Sequence, residues 1–197
     1  MTSRISQIFK DNKNNHKKTF ISYLVCGDPS KDYTLSAMHT MASSGVDIIE
    51  LGIPFSDPMA DGPVIQRSSE RALKKGVNLQ KCLNWVKEFR LQNKFTPIVL
   101  MGYANPIERF GIEDFAKEAS NADVDGVLIV DYPPEEALNF CRLMKTHPID
   151  NSRIGLETAD IQAFSLGNAV IEPSKAKTKI ISPPLTAPNN APKNLSS

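Results

Sequence analysis

Glu50 closes an apolar stretch at residues 46–51 (VDIIEL), a setting in which a carboxylate is costly. If the stretch is a buried parallel strand, Glu50 lies at its C-terminal lip, where ligands of parallel βα folds bind. Partial desolvation there would raise its pKa and suit it to give and take protons near neutrality, so it is the candidate general acid/base. The alternative is a glutamate paired with a lysine or capping a neighbouring helix. Two aspartates follow in a loop that also holds Pro54, Pro58, Gly62 and Pro63. Asp57, between Ser56 and Pro58, reads as turn chemistry, its side chain folding onto a nearby N–H. Asp61 either caps a helix opening at Gly62 and Pro63 or faces Glu50 across a cleft and accepts a hydrogen bond from a ligand N–H. Two carboxylates with separate duties would then share one site. Tyr23, Tyr103 and Asp131 fall at strand ends or in the loops after them, on the same rim. Their plainer readings are core packing for Tyr23, a loop anchor for Tyr103 and a turn residue for Asp131.

The elements that must position these groups follow from hydrophobic pattern. Residues 19–25, 46–51, 96–101 and 124–130 are short runs apolar on both faces, as in strands of a parallel sheet covered by helices. Between them, Leu35, Met38 and Ala42 recur at helical spacing after Ser30 as N-cap, with Gly45 as the stop. Helical stretches are also expected over 63–75 and 78–91, around Phe115 after the third run, and over 135–145. Strand and helix in alternation mean βα units, either doubly wound or closed into an eightfold barrel.

Composition removes several classes of function. Twenty-three basic residues against 22 acidic ones, net +1, provide no general field for nucleic acid or an anionic membrane. The three cysteines, Cys26, Cys82 and Cys141, are too far apart in sequence for a metal or redox pair, and the three histidines lack ligand spacing, so no metal is expected. The N-terminus has no apolar export core and no later apolar run is long enough to span a bilayer, which fits a cytoplasmic protein. Dinucleotide, P-loop and nucleophile-elbow motifs are absent from the sequence.

The segment ELGIPFSDPMADGPVIQ at residues 50–66 resembles the signature of the tryptophan synthase alpha subunit family. Residues 23–29 (YLVCGDP), 101–106 (MGYANP), 111–115 and 124–134 (VDGVLIVDYPP) agree with it, and the likeness covers about residues 5–146. It implies a (β/α)8 TIM barrel of which this chain carries the first four βα units. The implied reaction is retro-aldol cleavage of indole-3-glycerol phosphate to indole and glyceraldehyde 3-phosphate. Glu50 would protonate the indole at C3 and remove the glycerol hydroxyl proton, and Asp61 would accept the indole N–H hydrogen bond. Tyr23, Tyr103 and Asp131 match substrate-pocket and loop positions. Pro54, Phe55, Ser56, Asp57 and Pro58, with Asn105 and Pro106, would face a beta subunit, which receives indole and carries the pyridoxal phosphate. No cofactor is implied for this chain.

From about residue 147 the rhythm is lost. Only Ile154-Gly155-Leu156 offers an apolar run, and after Glu172 the chain holds four lysines, no acids and five prolines. Residues 1–146 are therefore expected to form the barrel half and 147–197 a divergent, poorly ordered tail, consistent with a shifted reading frame. The family's glycine-rich phosphate-binding loops find no counterpart there, so weak substrate binding and slow or absent turnover are expected. The reading of another class is a non-catalytic fragment that docks on a beta subunit or on a second copy of itself.

Overall fold

The computed structural model describes residues 3–132 and Phe140. Its elements run α1 (Arg4–Asn14), β1 (Ile21–Val25), α2 (Lys31–Ser43), β2 (Ile48–Gly52), α3 (Pro63–Lys74), α4 (Leu79–Gln92), β3 (Ile98–Gly102), α5 (Ala104–Phe110), α6 (Ile112–Asn121) and β4 (Gly126–Ile129). The four expected strands form within a residue or two of the apolar runs. The expected helix over 135–145, the apolar run 154–156 and the tail fall, Phe140 apart, outside the described residues.

Local chemistry sets the helix boundaries. The Asn78 side chain accepts a hydrogen bond from the Lys81 N–H at 3.0 Å and opens α4, while Ser44 caps the end of α2 and Gly45 follows at φ 90°, a conformation that favours glycine. Two helices were not expected. In α1, Ile5, Ile8 and Phe9 share one face, and the Ser3 side chain caps the start. Helix α5 is only seven residues long, too short for periodicity to reveal.

All four strands are parallel and ordered β1-β2-β3-β4. A doubly wound sheet reverses its order at a switch point; this sheet does not. Side-chain alternation then sorts the residues into two layers. Ile49, Leu51, Ile98, Leu100, Val127 and Ile129 share a buried cluster with helix residues such as Met38, Leu83, Phe89 and Phe115. Ile48, Val99 and Leu128 face the other way and are covered by Ile5, Ile8 and Phe9 of α1. Crossover helices on one face and sequential strand order are the geometry of a barrel wall, with α1 across its N-terminal end.

A buried ionic clamp holds that end together. Asp125 accepts from Arg4 Nε at 2.5 Å, from Arg90 Nη2 at 2.6 Å and from the Ile98 N–H at 2.8 Å. Arg4 also reaches Asp123 at 2.8 Å, and Arg90 reaches the Thr96 carbonyl at 2.8 Å. The clamp ties α1 and α4 to the entries of β3 and β4.

Candidate active site

The polar groups come from mid-strand positions of β1 and β2 and from the loops after β2, β3 and β4; Glu50, expected at the lip, is followed in β2 by Leu51 and Gly52. Glu50, on β2, has Tyr23 of β1 and Val99 of β3 as register partners, so it projects from the same face as Ile48 two residues before it. It is half-buried, and burial pushes its carboxyl above the ordinary glutamate value. Among the described residues it makes no hydrogen bond or ion pair, so neither the lysine pair nor the helix cap is realised there.

Tyr23 leans across the same face. A Cβ added to Gly52 would collide with its hydroxyl, so the absence of a side chain at Gly52 is what admits the phenol. Burial, then the charges of Asp61 and Glu50, push the Tyr23 hydroxyl pKa up, which brings these three residues into one electrostatic neighbourhood.

Asp61 arrives on the loop between β2 and α3. The N-cap of α3 is Gly62, with no side-chain cap, so Asp61 does not cap the helix. Its Oδ2 instead accepts a hydrogen bond from the Tyr103 hydroxyl at 3.1 Å. The Ala60 N–H donates to that same hydroxyl at 3.0 Å. Burial raises the Asp61 pKa, opposed by the Tyr103 hydrogen bond. Tyr103 is buried and its own hydroxyl is pushed up to about 12, first by burial.

The rest of the loop divides by exposure. Pro54 and Pro58 are buried, Phe55 stacks on the Tyr103 ring at 5.3 Å, and Ser56, Asp57 and Met59 are exposed. The Ser56 hydroxyl donates to Asp57 at 2.5 Å, which is local turn chemistry. Asn105 is exposed and Pro106 half-buried on α5. Asp131, also exposed, accepts from the Ala104 N–H at 2.7 Å and so holds the start of α5. Sequence reasoning missed Gly52; a glycine at the end of an apolar strand was the available signal.

No group of three or more histidine, cysteine or carboxylate side chains among the described residues is placed to hold a metal ion. No helix among them is long and apolar enough to cross a membrane.

A family model described as tryptophan synthase alpha chain matches residues 9–165, running on past residue 146. The tryptophan synthase alpha chains of Polynucleobacter asymbioticus and Cupriavidus metallidurans are each 57% identical over 148 residues, which is 75% of this chain and 56% of the relative. The chain thus spans a little over half the length of these curated relatives. Tryptophan synthase subunit alpha from Legionella pneumophila superposes with a TM-score of 0.73 at 46% identity, over 76% of this chain and 57% of that one. A chain of the tryptophan synthase complex from Pyrococcus furiosus matches with a TM-score of 0.61 at 47% identity, over 64% and 52% of the respective chains.

Proposed function

This chain belongs to the tryptophan synthase alpha chain family, and from that premise we propose that it acts as a lyase on indole-3-glycerol phosphate, releasing indole and glyceraldehyde 3-phosphate. The observation that carries the reading is Glu50, a half-buried carboxyl without a protein partner among the described residues, whose charge, like that of Asp61, bears on the Tyr23 hydroxyl.

In this reading protonated Glu50 donates its proton to C3 of the indole ring. The positive charge spreads to the ring nitrogen, whose N–H donates to Asp61. The Glu50 carboxylate then takes the proton of the glycerol hydroxyl next to the ring. The carbon–carbon bond breaks, its electron pair returns to the indole, and the hydroxyl carbon becomes the aldehyde. Proton and charge balance, and Glu50 ends the cycle protonated. Tyr23, Tyr103 and Asp131 border the pocket or hold its loops. The product would pass to a beta subunit that carries pyridoxal phosphate, met through Pro54 to Pro58, Asn105 and Pro106, in the cytoplasm.

A second reading, docking without catalysis, has one observation in its favour: among the described residues β1 and β4 each keep an unpaired edge. The test is incubation of the chain with indole-3-glycerol phosphate and a beta subunit. Equal amounts of indole and glyceraldehyde 3-phosphate support the lyase; stable association with the beta subunit and no product supports docking alone.

A further inference from the structure

Tyr103 is fully engaged by the protein. Its hydroxyl accepts the Ala60 N–H at 3.0 Å and donates its only proton to Asp61 Oδ2 at 3.1 Å. While that arrangement lasts it has no proton to offer a ligand. The ring is held in turn by Phe55 at 5.3 Å and is 4% exposed. Asp61 keeps its second oxygen, Oδ1, without a partner among the described residues. One oxygen is tethered and the other is open to an incoming N–H donor.

We propose that Tyr103 is a positioning residue, acting through Asp61: its hydroxyl pins the Ala60-Asp61 backbone and one carboxylate oxygen, so that the other oxygen is presented to the ligand in a fixed direction. The chain of support extends one step further. Tyr103 immediately precedes α5, and the first N–H of that helix, from Ala104, is held by Asp131 at 2.7 Å. Three rim loops, after β2, β3 and β4, are thereby tied through Asp61, Tyr103 and Asp131. Such a tether lowers the cost of orienting a flexible loop aspartate when charge develops on a substrate. The role assigned to Tyr103 rests on the lyase reading only for the identity of the ligand; the tether itself is a property of the free protein.

The experiment therefore uses the full chain without substrate. Tyr103→Phe removes the hydroxyl and keeps the ring. Carbon-13 NMR of the aspartate carboxyls should show the Asp61 pKa rising in the variant, because the lost hydrogen bond stabilises the charged form. The Ala60 amide should exchange with solvent about fivefold faster, the loss of one ordinary hydrogen bond. Asp61→Ala supplies a second arm: the Tyr103 hydroxyl should ionise at lower pH once the neighbouring carboxylate is gone. Asp61 titration and Ala60 exchange at wild-type values in folded Tyr103→Phe, or an unmoved Tyr103 titration in folded Asp61→Ala, would overturn the proposal. Either result would leave the lyase reading standing, since that depends on product formation, whereas a chain that makes no product can still show the tether.

Discussion

At the scale of single residues, Glu50 costs the fold something and is retained without a partner among the described residues. Its folded pKa lies above the unfolded one, so the cost is absent below the ordinary glutamate pKa of about 4.3 and present in full above the folded value. Glu50→Gln should therefore raise the melting temperature at pH 7. That gain should shrink to nothing as the pH is taken below about 4, where the wild-type carboxyl is neutral in both states. Thermal melts of the two proteins across pH 3.5 to 7 check this, and an equal gain at every pH would contradict it. On the proposed reading Asp61 behaves differently, because the charge it would serve exists only during turnover. Asp61→Asn is expected to lower kcat by about a hundredfold while weakening an indole-containing inhibitor by less than about fivefold. Steady-state rates beside calorimetric titration of the inhibitor separate the two, and an unchanged kcat would remove Asp61 from the chemistry.

At the scale of elements, what was legible in the sequence was what periodicity writes. Apolar runs around Leu24, Ile49, Leu100 and Leu128 became the four strands, and stripes such as Leu79, Cys82, Leu83 and Val86 became buried helix faces. The carboxylate in β2 was visible because charge is conspicuous in such a run, although the strand runs two residues past it to Gly52 and so sets it in mid-strand rather than at the lip. The Tyr103–Asp61 contact was not, since 42 residues separate the partners and nothing local couples them. Helix α1 was missed for a related reason: Ile5, Ile8 and Phe9 sit among lysines and asparagines, and their value appears only when Ile48, Val99 and Leu128 are seen beneath them. The Arg4–Asp125–Arg90 clamp joins residues far apart in the chain in the same way. Burial raises the Asp125 pKa, while Arg90, Arg4 and the Ile98 N–H oppose the rise. Asp125→Asn leaves buried Arg90 without its nearest carboxylate and should cost about 3 kcal/mol of stability by urea denaturation, as breaking a buried pair does. A loss under about 0.5 kcal/mol would mean that Asp123 and the carbonyls around Arg90 suffice.

At the scale of the whole molecule, the described residues form a continuous wall: four parallel strands in chain order, crossover helices on one side, α1 on the other at the N-terminal end. On the proposed reading the wall separates stability from chemistry. Its N-terminal end holds the ionic clamp and the α1 contacts, while Glu50 and Tyr23 stand in mid-strand on β2 and β1 and Asp61 and Tyr103 meet on the loops beyond the C-terminal strand ends. On the proposed reading, proton transfer here runs through Glu50. It is tested most directly by the rate of indole release from indole-3-glycerol phosphate, measured for the chain and for Glu50→Gln under one set of conditions, with circular dichroism confirming that both are folded. Release, even if slow, should depend on Glu50, with the glutamine variant at background. Release by Glu50→Gln at half the wild-type rate or more would contradict that dependence.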